Sequence, residues 1–222
     1  MEIIGVNTVF SCSLAGDVEA LQRLLEYQKD SGEGGMIDMF QEKDTVGRNA
    51  LFVSCMLGRC NIVRELVRCG ANVHELTVRG YTPLHCAALW GHLDTVKTLV
   101  ELGANLHAVN FRGESAKRVA RRYSKMACAE YLSLAEAKQG LQEYIIQVRQ
   151  TLSEDKVQGK LNKEEKNIFT SSCLAKADWI QNAKTPSIQD FTEQKKHLED
   201  ILGPLLAKLT AQSEATTKTR KH

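Results

Sequence analysis

The sequence predicts an all-α protein in which a solenoid of helix-turn-helix repeats, with short hairpin or loop tips, precedes a small three-helix antiparallel bundle. Three observations predict this fold. Gly47, Gly80 and Gly113 are each 33 residues apart. Between these glycines, apolar residues recur at helical spacing. After residue 138 the repeat stops, and longer helical patterns with a higher charge density follow.

The composition is that of a globular chain without a strong overall charge. The 222 residues are 43% hydrophobic, and 29 Lys and Arg nearly balance 27 Asp and Glu. We therefore expect no field that attracts nucleic acid. No apolar run is long enough to predict a membrane span, and the N-terminus lacks a signal-peptide pattern. Seven cysteines without CxxC spacing predict reduced, mostly buried thiols in a cytoplasmic protein, with nuclear access possible.

Residues 80–112, GYTPLHCAALWGHLDTVKTLVELGANLHAVNFR, contain the clearest copy of the repeat. Thr82 is expected to cap the first helix, and Pro83 to occupy its first position. Gly91 permits a left-handed turn before the second helix. The buried faces are predicted to contain Leu84, Ala87, Ala88, Leu93, Val96, Leu99 and Val100. A 33-residue period with T-P-L-H and a later G-A resembles the ankyrin repeat. The resemblance implies a protein-binding solenoid.

Two upstream copies are degenerate. Residues 47–79 begin their first helix with N-A-L-F instead of T-P-L-H. Residues 9–25 fit the same helix pair, but the step from Gly16 to Gly58 is 42 residues. Because glycines cluster in the intervening segment, we expect a loop insertion near 28–38.

A fourth copy at 113–135 ends the array. Lys117 stands where the clearest copy has Leu84. A polar residue at a core position is typical of a terminal repeat, whose outer side meets water. The sequence therefore predicts about four repeats within residues 1–138, the last of them a degenerate cap.

Candidate binding residues occupy positions that the repeat does not need for packing. The ankyrin resemblance implies that partners contact the hairpin tips and the concave face formed by the first helices. The residues at these positions are Val46, Arg48, Met56, Leu57, Val78, Arg79, Tyr81, Leu89, Trp90, Phe111, Arg112, Arg122 and Tyr123. Aromatic residues, Met and Arg are enriched in interface cores. We expect Arg79, Tyr81 and Trp90 to anchor a protein partner of unknown identity. The alternative is that the aromatic side chains pack on the adjacent hairpin or beneath the C-terminal half.

A second candidate surface is a basic patch on the terminal repeat. It consists of Lys117, Arg118, Arg121, Arg122 and Lys125. On a helix these residues spread over about half of the circumference. The patch could bind an acidic peptide, phosphate groups or an import receptor. The alternative is a solvated capping face.

Two histidines of the clearest copy, His85 and His92, are expected to be structural. The ankyrin resemblance implies that His85 hydrogen-bonds the Thr82 hydroxyl, and His92 belongs to the usual Gly-His pair. No Ser/His/Asp constellation, phosphate-binding loop or dinucleotide motif is present. We therefore expect a non-enzyme with no catalytic residue, cofactor, metal site or small-molecule substrate.

Residues 139–210 are predicted to form three helices. The first runs from Leu141 to about Asp155, and the second follows the N-cap Asn162 and ends near Asn182. The third runs from about Ile188 to Leu209. From residue 211 the Ser/Thr/Lys-rich tail lacks large apolar residues and is expected to be a disordered basic tail.

The strings LQEYIIQVRQTLSEDKVQGKLNKEEKNIF, ADWIQ and DFTEQKKHLEDILGPLLAKL carry a second resemblance. They are similar to the C-terminal helical lid of DnaK-type heat-shock chaperones. Neither an ATPase domain nor a peptide-binding cleft precedes them, so chaperone activity is not expected. The pairing of repeats and lid implies a non-catalytic intracellular adaptor or scaffold. The same resemblance, and no residue of the sequence, also implies an association with cell-division structures, the midbody or the cilium.

Two other functions stay open. The lid-like bundle could make the chain a chaperone-linked regulator. Alternatively, the basic patch and the basic residues near the C-terminus could dock on phosphate-rich surfaces.

Overall fold

The computed structural model describes residues 8–30, 40, 43–153 and 161–218. Within these ranges, all regular secondary structure is α-helical, as predicted. The chain divides into two compact units, Met1–Ser133 and Leu134–His222. The boundary lies slightly before the predicted one after residue 138. None of the described helices is both long and apolar enough to cross a membrane.

The first unit is built from helix pairs. Its helices are α1 (Val9–Ala15), α2 (Val18–Asp30), α3 (Ala50–Met56), α4 (Cys60–Arg68), α5 (Pro83–Trp90), α6 (Leu93–Glu101) and α7 (Ala116–Arg122), followed by the start of α8 (Met126–Ser153). Each pair corresponds to one predicted repeat.

The helices of the first unit form two layers. The first helices pack in chain order, with α3 against α1 and α5, and α5 against α7. The second helices form the other layer, with α4 against α2 and α6. Because α3 and α5 have neighbours on several sides, nearly all of their residues are buried. This explains why short apolar helices, which are marginal alone in water, are stable in the array.

Side-chain caps mark where the first helices α1, α3 and α5 begin, and a glycine marks where α5 ends. Thr8 and Thr82 each cap a helix in a reciprocal capping box, as predicted for Thr82. Gly91 ends α5 in the left-handed conformation, with φ of 84°. Since L side chains rarely adopt this conformation, the Gly91 turn is specified by the sequence.

The second unit contains the rest of α8, together with α9 (Lys163–Asn182) and α10 (Ile188–Lys218). These helices share one apolar core. It contains Leu141, Ile145, Val148, Leu161, Phe169, Cys173, Phe191, Leu198, Leu202 and Leu209. The rings of Trp179 and Phe191 meet edge to face at 5.3 Å. Asn162 caps α9 in a capping box, as predicted.

Two predicted boundaries in the C-terminal region are wrong. No separate helix starts at Leu141, because α8 is continuous from Met126. The segment AEAKQ that precedes Gly140 consists of strong helix formers and does not break the helix. Residues from Ala211 to Lys218 are helical rather than disordered, and Ala and Glu in that segment also favour helix. Residues 219–222 lie outside the described part of the chain.

The structure describes only residues 28–30 of the loop insertion expected near 28–38. Helix α2 continues to Asp30, so the insertion does not begin at residue 28. The rest of the predicted insertion lies outside the described residues.

Candidate binding surface of the repeats

Three hairpin tips connect the repeats, and all have the same backbone turn. Each centres on Gly47, Gly80 or Gly113, with φ of 81°, 69° and 67°. In each tip the glycine N–H donates to the carbonyl three residues earlier, at 2.8 to 2.9 Å. The 33-residue glycine period therefore reflects a turn that requires positive φ.

Neighbouring tips are joined by backbone hydrogen bonds. The Val78 N–H donates to the Val46 carbonyl at 3.4 Å, and the Phe111 N–H donates to the Arg79 carbonyl at 3.1 Å. These bonds place the three tips side by side. The side chains of the tips consequently form one continuous edge along the repeats.

His85 ties the third repeat to the following tip. The Thr82 N–H donates to Nδ1 of His85 at 3.2 Å, so Nδ1 is an acceptor. Nε2 therefore carries the hydrogen that is donated to the Glu114 carbonyl at 2.9 Å. Burial lowers the pKa of His85 and favours this neutral form. The predicted structural role of His85 agrees with these contacts.

His92 is tied to the preceding repeat. Its Nε2 lies 2.8 Å from the carbonyl oxygen of Met56. Its ring covers Gly58, where an added Cβ would lie 2.6 Å from Nδ1. His85 and His92 are thus both engaged with neighbouring repeats.

The predicted binding residues differ in exposure. Nine of them are exposed: Val46, Leu57, Val78, Arg79, Trp90, Phe111, Arg112, Arg122 and Tyr123. Four are half-buried: Arg48, Met56, Tyr81 and Leu89. The side chains of Val78, Phe111 and Trp90 are 82%, 57% and 52% exposed. The tips thus present the large apolar side chains of Val78 and Phe111 to solvent, and the C-terminal end of α5 presents Trp90.

Several predicted residues contact one another. The Arg79 and Arg112 guanidinium groups lie over the Phe111 ring, 5.9 and 5.3 Å from its centroid. The Tyr81 ring lies 6.2 Å from Phe111 and meets His85 edge to face at 5.7 Å. Tyr81 therefore supports the neighbouring tip, which corresponds in part to the alternative that the aromatic residues pack on the hairpin.

Arg48 is held within its own tip. Its Nε lies 2.6 Å from the Asp44 carboxylate, and its guanidinium donates to the sulfur of Met56 at 3.7 Å. Burial alone would raise the pKa of Asp44, but the hydrogen bonds from Arg48 and from the Val46 N–H together outweigh it and lower that pKa. Arg48 is consequently less available to a partner than Arg79.

Comparison with known proteins identifies the family. The family model for ankyrin repeats, in three copies, matches residues 9–110. A Danio rerio protein named ankyrin repeat domain-containing protein 45 is 58% identical over 218 residues, covering 97% of this chain and 97% of the relative. The chain belongs to the ankyrin repeat domain-containing protein 45 family. The Homo sapiens protein of that name is 42% identical over 205 residues, covering 92% of this chain and 77% of the relative.

A weaker similarity extends beyond the ankyrin repeat domain-containing protein 45 family. Heat shock cognate 70 kDa protein 3 of Dictyostelium discoideum is 30% identical over 73 residues, covering 33% of this chain and 12% of that protein. The matched part is too small a fraction of the chaperone to transfer its activity.

Several side chains of the basic patch in this chain contact neighbouring residues of the same chain. Arg122 pairs with Glu114 at 3.0 Å and lies over the Tyr123 ring. Lys125 is half-buried, and its side chain covers Gly91. Arg121 donates weakly to the Ser133 hydroxyl at 3.4 Å. Lys117 is half-buried, whereas Arg118 is exposed. The five cations therefore do not form one uniform solvated face.

Two exposed residues beside the tips were missed by sequence reasoning. Leu76 and Val109 are both exposed apolar side chains. They are 33 residues apart and precede equivalent tips. Their matching positions in the repeat were the signal that could have found them.

The cysteines of the chain are mostly buried thiols. All seven cysteines are unpaired, and six of them are buried. Burial raises the pKa of the Cys86 thiol to about 12, which keeps it protonated and unreactive. Among the residues that the structure describes, no cluster of His, Cys, Asp and Glu could hold a metal ion.

Proposed function

We propose that the chain is a non-catalytic adaptor that binds a protein partner along the hairpin tips and the adjacent first helices of its repeats. The observation that carries this proposal is the exposure of Val78 and Phe111 on neighbouring tips, together with that of Trp90 at the end of α5. Solvent-facing positions without a function are normally polar, whereas large apolar side chains exposed on neighbouring tips are typical of interaction surfaces.

The energetics favour a protein partner. Burying one exposed Phe or Val side chain stabilises a complex by roughly 1.5–3 kcal/mol before the costs of association. A few such residues supply most of the affinity in protein interfaces. Phe111 and Trp90 are the strongest candidates because they are large, aromatic and exposed.

The adaptor proposal is tested by proximity labelling in cells with the intact chain. The variant Trp90→Ala/Phe111→Ala removes two exposed rings and should retain the fold. We expect it to lose a defined set of labelled proteins while its melting temperature stays close to that of the parent.

The matched control is Tyr27→Ala, because Tyr27 is a 74% exposed aromatic residue on α2. This control should label the same proteins as the parent. If the double variant and the control label the same proteins, the proposed surface does not bind the partner.

A second candidate function concerns the bundle. The similarity to a heat-shock protein supports a chaperone-linked role, and a groove of about 380 Å³ lies between α8 and α9. Ile146 lines this groove and is exposed. The variant Ile146→Ser should then lose labelling of heat-shock chaperones while keeping the proteins that depend on Phe111. Unchanged chaperone labelling would exclude this role.

We infer a cytoplasmic location from the seven unpaired cysteines, which suit a reducing compartment. An association with cell-division structures, the midbody or the cilium stays a prediction that rests on resemblance alone. Fluorescence microscopy of the tagged intact chain through the cell cycle tests both expectations. Diffuse signal excluded from these structures would contradict the association.

A further inference from the structure

The tip around Phe111 combines an exposed ring with two exposed arginines. Arg79 and Arg112 both lie over this ring, although they belong to different repeats. Arg118, from α7, donates to the Gly113 carbonyl of the same tip at 3.2 Å. Three guanidinium groups from three successive repeat segments therefore converge on one tip.

These three arginines differ from the neighbouring ones in their pairing. Arg48 is paired with Asp44, and Arg122 is paired with Glu114. Within the described part of the chain, Arg79, Arg112 and Arg118 form no ion pair. Glu114, the acidic residue of this tip, is engaged by Arg122 and by the Asn110 amide. The tip therefore carries positive charge without a carboxylate to balance it.

We propose that the Phe111 tip recognises an acidic segment of the partner protein, in which an Asp or Glu carboxylate lies next to an apolar side chain. This inference rests on the proposed adaptor function and specifies the chemistry of the partner. The planar guanidinium group binds carboxylates through two parallel hydrogen bonds. Stacking on Phe111 holds the arginines in place, so less side-chain entropy is lost when the partner binds.

The apolar part of the recognition comes from Phe111 and Val78. Both are exposed on adjoining tips. Tyr81 supports the Phe111 ring, and the Tyr81 N–H is itself tied to the Thr77 hydroxyl at 3.0 Å. An apolar partner side chain on this surface would exclude water around the arginines and strengthen their pairing with a carboxylate.

Charge distribution favours a protein segment over nucleic acid or a membrane. Binding to phosphate backbones or anionic lipid surfaces depends on many cations acting together. This chain has a net charge of only +2, and other arginines nearby are internally paired. A local cluster of three arginines suits one or two carboxylates.

The inference is tested by selecting binders from a phage-displayed library of random twelve-residue peptides on the intact chain. The same selection is run on Arg79→Ala/Arg112→Ala. The matched control is Arg64→Ala/Arg68→Ala, which removes two exposed arginines from α4 and the same amount of charge.

We expect peptides enriched on the parent to combine Asp or Glu with apolar residues. Their binding should fall about tenfold or more on the Arg79/Arg112 variant, the size of effect that hot-spot arginines produce. It should persist on the Arg64/Arg68 control. The variant Arg79→Lys/Arg112→Lys keeps the charge but not the planar fork, and it should recover binding only in part.

Failure of this inference is distinguishable from failure of the adaptor function. Neutral or basic peptides that depend on Phe111 would overturn the acidic-partner inference and leave the adaptor function intact. Absence of any peptide that depends on Phe111, Trp90 or the arginines would contradict both. Loss of binding to poly(U) or to phosphatidylserine vesicles in the Arg79/Arg112 variant, without acidic peptides, would also overturn the inference in favour of phosphate.

Discussion

The second and third repeats cap their first helix and link it to neighbouring polypeptide through different residues. In the third repeat, Thr82 caps α5, and His85 reaches the next tip. In the second repeat, Asn49 caps α3, and Phe52 occupies the position equivalent to His85. Asn49 also donates to the Phe40 carbonyl and to the Glu75 carboxylate. The link to neighbouring polypeptide is therefore made by the third helical residue, His85, in the third repeat and by the cap residue, Asn49, in the second.

The comparison shows that different residues can provide the same cap and the same link in the two repeats. The first helices of these two repeats, α3 and α5, each have a cap and a link to the polypeptide that follows. Thr82 and His85 divide these tasks, whereas Asn49 performs both. Phe52 is then free to be apolar, and it is completely buried. Loss of the T-P-L-H motif therefore does not mean loss of the repeat.

The largest effect is expected for Phe52→Ala. Phe52 is among the largest fully buried side chains of the chain. Its truncation should lower the free energy of unfolding by about 3–5 kcal/mol, because a cavity remains. Urea denaturation followed by circular dichroism measures this change. A loss below about 1 kcal/mol would show that the second repeat contributes little to the folded array.

A smaller effect distinguishes the two caps. Asn49→Ala removes hydrogen bonds to the N–H groups of Leu51 and Phe52 as well as the two tethers. We expect it to cost about 2 kcal/mol, against about 1 kcal/mol for Thr82→Ala. The measurement is again urea denaturation. The reverse order would contradict the idea that Asn49 performs both tasks.

Comparing Gly→Ala at two glycines separates the cost of contact with the next repeat from the cost of backbone strain. Gly91 and Gly103 share a φ of 84°, but an added Cβ at Gly91 would lie 2.7 Å from Lys125, whereas at Gly103 it would meet nothing within 4 Å. Each change to Ala should cost about 1–2 kcal/mol in backbone strain. Gly91→Ala should cost a few tenths of a kcal/mol more, because the flexible Lys125 side chain must move.

The double-mutant cycle with Lys125→Ala checks this interpretation. The excess cost of Gly91→Ala over Gly103→Ala should disappear when Lys125 is absent. An excess that persists without the Lys125 side chain would mean that Gly91→Ala destabilises the protein more than Gly103→Ala for a reason other than this contact.

The smallest effect is a pH dependence that His85 gives to the third repeat and that Phe52, at the equivalent position, cannot give to the second. Burial lowers the pKa of His85 from its ordinary 6.5 in the folded protein. The unfolded chain therefore binds the proton more readily. The stabilisation is present above pH 6.5 and is lost as the pH falls below that value toward the folded pKa.

The His85 contribution is measured by comparing the parent with His85→Gln between pH 7.5 and about 5. The parent should lose more stability on acidification than the variant does. The carboxylates with lowered pKa, Asp44, Glu165 and Asp190, contribute at more acidic pH, because their ordinary values are 3.8 to 4.5. Equal slopes in both proteins would rule out His85 as the titrating group.

Much of the fold follows from local rules that the sequence displays directly. The glycine period, the Thr82 cap and the Asn162 cap all correspond to observed turns and helix starts. The continuous helix α8 was not predicted, because two periodic patterns with different partners meet within it. A helix boundary depends on the presence of a breaker, and Gly140 alone does not break α8.

The candidate surface was less predictable than the fold. Exposure of Val78, Phe111 and Trp90 follows from their position in the repeat. Side-chain pairing does not, because it depends on how the folded chain places each side chain: Arg122 reaches Glu114 within its own repeat, whereas Arg79 lies over Phe111 of the next tip. Sequence position therefore identified the edge but could not distinguish paired arginines from unpaired ones.

Site-specific photo-crosslinking in cells tests the binding surface most directly. A photoreactive phenylalanine analogue is placed at Phe111 in the intact chain and, as the control, at Tyr27. We predict discrete crosslinked proteins from position 111 and none of the same proteins from position 27. Crosslinks to the same proteins from both positions, or crosslinks from position 27 alone, would contradict the assignment of binding to the hairpin edge.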